Sequence, residues 1–289
     1  MQDLNGKVAV ITGSGGEHSI GRACARRFAQ EGTKLVLADI NEPALEATVA
    51  DLRAAGFDVL GVPADVADFD SVRHLADAAW DHYGQVDIAW LNAGVGGGGT
   101  LFDDDMSDWN RVIGINFLGV LHGIKAFAPR MIAQGTPGHI LGTSSGSGVS
   151  GTMYHTPSYS TMKAAVLTLM ECLYAQLRDL ESLVKAHVVL PPLTQTGLAG
   201  DPSFMPMVQQ GLERGGVVTV LAQPEEVADT VLEAVRADRF FATLDHEADE
   251  RRLGGRFAKD LDWQNDVIRK RADALIGRTA PDPYLWGMK

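Results

Sequence analysis

Seven short apolar runs, at 8–12, 35–39, 59–62, 88–91, 139–143, 186–190 and 240–244, recur along the chain with helical patterns between them. The helical stretches are 20–31, 42–55, 68–83, 107–134, 157–180 and 224–237. Most of the short runs are continuously apolar rather than alternating, which suits strands buried on both faces of a parallel sheet. Strand–helix alternation over this length predicts an α/β fold. The expected form is a doubly wound, mostly parallel seven-stranded sheet with helices on both faces and right-handed crossovers. No internal repeat or linker divides residues 1–246, which read as one domain with a Gly-, Pro- and Met-rich segment at about 193–222. Residues 247–289 read as a charged C-terminal extension, packed on the same domain or on a neighbouring subunit.

Charge narrows the partners. The 289 residues carry a formal net charge of -12, which disfavours nucleic acid, because binding to a phosphate backbone is driven by Lys and Arg. The two cysteines, Cys24 and Cys172, are too few and too distant for a disulfide framework or a metal site, and are expected to be buried apolar residues. The opening MQDLNGKVAV has neither a basic leader nor a long apolar run, and no apolar stretch approaches the roughly 20 residues of a membrane helix. The expectation is a cytoplasmic protein with no metal and no membrane partner.

The stretch ITGSGGEHSIGRACA, residues 11–25, follows the first strand and opens a helix. Gly13 would make the tight turn, and Gly15 and Gly16 would let backbone approach a ligand. Gly21 would allow the helix close to the sheet. Ser19 can cap the helix and present its hydroxyl to an anion, aided by the helix dipole. A glycine-rich turn with no ligand is the plainer alternative. The second strand ends in Asp39, where the adenosine ribose lies in a dinucleotide fold. A carboxylate there accepts from both ribose hydroxyls and repels a 2′-phosphate, which favours NAD over NADP. An Asp that only caps the next helix is the alternative.

Further motifs appear in order: ADV at 64–66, NAG at 92–94, NFLG at 116–119, TSSGSG at 143–148, Tyr159-x-x-x-Lys163 and PPLTQT at 191–196. With these, the chain resembles the short-chain dehydrogenase/reductase family, single-domain type, over about residues 5–246. The resemblance implies a Rossmann fold and a nicotinamide cofactor. It implies that Asp65 and Val66 contact adenine. Asn92, Ala93 and Gly94 would support the sheet along the adenine–ribose side. Pro191, Thr194 and Thr196 would border the nicotinamide, with Thr196 on its carboxamide. Asn116, Ser145, Tyr159 and Lys163 would be the catalytic set. The first loop is two residues longer than the family's usual one, and Ser19 replaces its middle glycine. That variant resembles the enoyl-thioester reductase branch, and the Ser19 hydroxyl and Ile20 amide could do the missing glycine's phosphate work. The enoyl branch, however, spaces its Tyr and Lys seven apart, and Thr156 stands at that position here. Ser144 and Ser147 compete with Ser145.

Tyr159 and Lys163 are four residues apart on a predicted helix and share a face. An ammonium beside a phenol lowers its pKa from about 10. Tyr159 could then take the proton of a secondary alcohol while hydride leaves for NAD, or protonate a ketone in reverse. Ser145 would bind the reacting oxygen. Lys163 would also hold the nicotinamide ribose, and Asn116 a water linking Lys163 to solvent. The pocket is expected around Gly97, Ser147, Met153, Tyr154, His155, Pro192, Met205 and Met207, admitting a bulky, mostly apolar alcohol or ketone. The family resemblance also implies a homodimer or homotetramer through the 107–134 and 157–180 helices. An enoyl-thioester reductase and a non-catalytic dinucleotide sensor are the alternatives.

Overall fold

The computed structural model describes residues 1–97, 101–102, 105–150, 156–198 and 222–244. Its strands are β1 (Val8–Thr12), β2 (Lys34–Asp39), β3 (Val59–Pro63), β4 (Ile88–Leu91), β5 (Gly138–Thr143), β6 (Val184–Leu190) and β7 (Phe241–Thr243). They form one seven-stranded sheet in the order β3-β2-β1-β4-β5-β6-β7, every pair parallel. The order reverses between β1 and β4, which is the crevice where open α/β sheets bind ligands.

Alternate residues of the strands feed two separate cores. Val8, Val10, Val36 and Ala89 face one layer, formed by α3 (Phe69–Tyr83), α5 (Gly119–Ala133) and α7 (Pro157–Asp179). Ala9, Ile11, Leu35 and Trp90 face the other, formed by α1 (Ile20–Gln30), α2 (Glu42–Ala54) and α8 (Pro224–Arg236). Burial on both faces explains why the strand sequences are continuously apolar. Cys24 is buried in the second layer as expected, but Cys172 is exposed, because it lies on the side of α7 turned from the sheet.

The structure departs from the sequence expectation in two helical regions. The single helix expected at 107–134 is α4 (Ser107–Val112), a π-helical turn (Ile113–Leu118) and then α5. Its middle also holds an apolar stretch long enough by composition to cross a membrane, contrary to the expectation that none exists. Half of that stretch is buried inside the fold, as in a core helix. A short helix, α6 (Gly146–Ser150), was not expected, since its sequence GSGVS has poor helix propensity.

Candidate active site

At the nucleotide end, Gly13 has φ +68, and a Cβ there would lie 2.7 Å from the Ala93 Cα. A Cβ on Gly21 would strike the Gly13 carbonyl oxygen, so the start of α1 rests directly on the end of β1. Ser19 caps α1 by accepting from the Arg22 amide at 3.1 Å. The first amides of a helix, that of Ile20 here, have no partner within the helix and are donors able to meet an anion. The Asp39 carboxylate ends β2 and fixes the loop: Oδ2 accepts from the Gly15 amide at 2.8 Å and Oδ1 from the Asn41 amide at 3.0 Å. Among the described residues no Lys or Arg pairs with it, and Arg22 is paired with Asp51. Beyond β3, Asp65 accepts from the Ala67 amide at 2.9 Å. Val66 is buried against Gly119, where a Cβ would meet its Cγ2 at 2.8 Å.

A buried network ties this loop to the centre of the sheet. The Asn92 side chain donates to the carbonyls of Thr12 and Gly13, at 3.0 and 3.3 Å. Thr12 Oγ1 accepts from the amides of Asn92 and Ala93. Thr143 Oγ1 accepts from the Trp90 indole at 2.9 Å and donates to Asn92 Oδ1 at 3.3 Å. Asn92 and Ala93 thus tie the end of β4 to the end of β1. At Gly94 a Cβ would lie 3.2 Å from Lys163 Nζ and 3.4 Å from Asn116 Oδ1. It therefore borders the Lys163 ammonium, and it is exposed.

Tyr159 and Lys163 share the buried face of α7, with Nζ 5.5 Å from the centre of the phenol ring. Burial pushes the Tyr159 phenol up, and a hydrogen bond with Ser145 partly offsets this. Burial lowers Lys163 to about 8. Lys163 Nζ donates to the Thr143 carbonyl at 2.9 Å, which leaves other N–H donors of the ammonium to reach a ligand. The three serines separate by role. Ser144 Oγ donates to the Lys163 carbonyl at 2.6 Å and braces α7. Ser145 meets Tyr159, and Ser147 donates its amide to Ser145 Oγ at 3.2 Å. The Asn116 side chain does not reach Lys163: its Oδ1 accepts from the Val95 amide at 2.8 Å and its Nδ2 donates to the Val95 carbonyl at 2.9 Å. It holds the loop beside the lysine.

After β6, the Pro191 carbonyl accepts from the Gly146 amide at 3.3 Å. Thr194 is buried and its hydroxyl donates to the Pro192 carbonyl at 2.8 Å, while Thr196 and Pro192 remain partly or fully exposed. Gly97 contradicts its expected pocket role. A Cβ there would meet Ser158 Oγ at 2.5 Å and Val112 Cγ2 at 2.6 Å, so the space beside it is filled by protein. Met153, Tyr154, His155, Met205, Met207 and the extension at 247–289 lie outside the described residues. The sequence reading missed Thr143, whose contact with Lys163 is a backbone carbonyl and leaves no side-chain signature.

The glycine cradle closes directly onto backbone, and a buried ammonium has donors to spare at the switch point of the sheet. Both fit a nicotinamide dinucleotide. The profile of the short chain dehydrogenase family matches residues 7–203, and the chain belongs to this family of oxidoreductases. The 1-deoxy-11-beta-hydroxypentalenate dehydrogenase of Streptomyces exfoliatus is 34% identical over 250 residues, 85% of this chain and 85% of that protein. The C alpha-dehydrogenase of Sphingobium sp. is 38% identical over 172 residues, 59% of this chain; the match spans 55% of that protein's length. A short chain dehydrogenase/reductase from Burkholderia phymatum, solved in complex with NAD, superposes with a TM-score of 0.78. It is 35% identical, and the match covers 98% of this chain and 99% of that one.

Proposed function

We propose that this protein interconverts a secondary alcohol and its ketone with NAD(H), using Tyr159 as the proton-transferring group. The observation that carries the reading is the buried Tyr159–Lys163 pair on one helix face, with Ser145 bonded to the phenol. Bound NAD would supply hydride acceptance at the nicotinamide and a positive charge in the cleft. Tyr159 takes the hydroxyl proton, and its phenolate is stabilised by the Lys163 ammonium. Ser145 orients the reacting oxygen through the same hydrogen-bonded corner. Lys163 holds the cofactor ribose with the donors not spent on Thr143. Gly13, the α1 amides and Asp39 hold the pyrophosphate and adenosine ends.

Asp39 supports NAD as the preferred cofactor, because among the described residues its carboxylate has no cationic partner to offset repulsion of a 2′-phosphate. The enoyl-thioester reading is disfavoured: Thr156, at the position of that branch's tyrosine, is fully buried and faces the Ser160 hydroxyl. A bulky, mostly apolar alcohol and a homodimer or homotetramer remain part of the proposal. The relative named for dehydrogenating a hydroxypentalenate supports the alcohol.

The test is a panel of secondary alcohols with NAD, read as NADH absorbance, alongside Tyr159→Phe. The proposal requires turnover by the wild type and a loss of at least about 100-fold in Tyr159→Phe, with NADH binding retained. Undiminished activity of that variant excludes the assignment.

A further inference from the structure

The loop that leaves β4 is held residue by residue by the helix opposite it. Asn116 grips both backbone groups of Val95. Arg111 Nη2 donates to the Gly96 carbonyl at 2.7 Å. Gly97 is pressed so close to Ser158 Oγ and to Asp108 Oδ2 that a Cβ would lie 2.5 and 3.2 Å from them. The Asp108 carboxylate is the hub of this contact. Oδ2 accepts from Ser158 Oγ at 2.7 Å, and Oδ1 accepts from Arg111 Nη2 at 2.6 Å. Ser158 is fully buried and immediately precedes Tyr159.

Helix phase explains how these side chains come together. Asn116 follows Arg111 by five residues. In an unbroken α-helix five residues turn through about 500°, which sets the two side chains about 140° apart. The π turn at Ile113–Leu118 begins after Arg111 and contains Asn116, and it closes i→i+5 bonds instead, so each of its residues turns through less than the roughly 100° of an α-helix. With it, Asp108, Arg111 and Asn116 all reach the same strip of backbone. The start of α7 needs such a tether, because its N-cap residue Thr156 makes no side-chain cap hydrogen bond.

We propose that Asp108 and Arg111 are positioning residues for the Tyr159–Lys163 pair, clamping the 94–97 loop to the first turn of the tyrosine's helix through Ser158. This inference rests on the alcohol dehydrogenase reading above. The loop's near end, Gly94, borders Lys163 Nζ, and its far end, Gly97, abuts the residue before Tyr159. One clamp therefore sets both members of the pair. Small misplacements of reacting groups are costly, on the order of 100-fold per ångström.

The test compares Asp108→Asn, Ser158→Ala, their double variant and the conservative Arg111→Lys with the wild type. Three readouts are taken: kcat and KM with an alcohol the wild type oxidises, NADH affinity by cofactor fluorescence, and the phenolate titration of Tyr159. The last is isolated as the difference between each variant and its Tyr159→Phe partner. Asp108→Asn and Ser158→Ala should each lower kcat by roughly 10-fold or more, with NADH affinity within about two-fold. The double variant should be no worse than the singles, and Arg111→Lys should keep most of the activity. The Tyr159 titration should move down in both single variants as the ring gains solvent. Wild-type kcat with an unmoved titration overturns the clamp, and so does a rise in KM at constant kcat, which would report substrate contact instead. If the wild type oxidises no alcohol, the functional proposal fails, and the Tyr159 titration alone decides the clamp: unmoved in Asp108→Asn, it is overturned.

Discussion

His139 Nδ1 and His187 Nε2 lie 2.7 Å apart in the core between β5 and β6, and His187 Nδ1 meets the Arg239 carbonyl at 2.7 Å. Burial lowers the pKa of both, and for His139 the neighbouring His187 lowers it further. Both rings are thus neutral in the folded protein at a pH where free histidine, at about 6.5, already takes up protons. The unfolded chain binds more protons below that value, so stability must fall as pH drops from about 6.5. Urea unfolding between pH 7.5 and 5 should show a steep loss below about pH 6.5 that is shallower in His187→Gln. An equal slope in the variant would show that other groups carry the acid sensitivity.

Lys163 offers a second pH signature, at the other end of the scale. Burial lowers its pKa to about 8, and its ammonium is the group expected to hold the cofactor ribose. Its charged form therefore disappears from the free enzyme as pH rises through about 8. NADH affinity should hold steady below that pH and weaken above it. Lys163→Met should bind NADH less tightly at neutral pH and with little pH dependence. Fluorescence titrations from pH 6.5 to 9.5 measure both curves, and an unchanged curve in the variant removes Lys163 from cofactor binding.

Strand positions were readable from the sequence, as was the shared helix face of Tyr159 and Lys163, because both rest on local chemistry. The short β-branched run VAVIT, stopped by Gly13, reads as a strand buried on both faces, and Tyr159 and Lys163 share a face by helical period alone. The π turn was not readable, because IGINFL has the same apolar spacing as the helix on either side. The clamp on Ser158 was hidden for the same reason, since it depends on the phase the π turn creates. Gly97 was misread because a glycine signals only that a side chain is excluded. The excluding atoms, on Ser158 and Val112, come from distant sequence.

The Asp39 carboxylate has two duties that one substitution separates. It anchors the Gly15 amide and, in the proposed function, would bind the adenosine ribose. Asp39→Ala should raise the KM for NAD by roughly 10-fold, since hydrogen bonds to a charged group are worth about 1.5–3 kcal/mol. It should also lower the NAD-over-NADP ratio of kcat/KM, because the repulsion is gone. Asp39→Asn keeps a side-chain acceptor for Gly15 and should show the change in preference with a smaller rise in KM. Steady-state kinetics with both cofactors measure this; an unchanged ratio in both variants would mean that preference is set elsewhere.

Ser144 and Ser145 are neighbours whose hydroxyls point to opposite tasks. Ser144 donates to the Lys163 carbonyl inside the fold, whereas Ser145 meets the Tyr159 phenol at the cleft. Ser145→Ala should cost roughly 100-fold or more in kcat, as when one donor to a reacting oxygen is removed, with little change in thermal stability. Ser144→Ala should do the reverse. It removes the side-chain donor from a helix carbonyl that keeps its own helical bond, a loss of about 1 kcal/mol in stability, and changes turnover far less. Ser147→Ala keeps the amide bond to Ser145 Oγ and removes only the longer 3.4 Å bond that the Ser147 hydroxyl accepts from it, so its kcat loss should be smaller than that of Ser145→Ala. Parallel kinetics and thermal unfolding of the three variants test the division. A kcat loss larger in Ser144→Ala than in Ser145→Ala would transfer the substrate-facing role to Ser144.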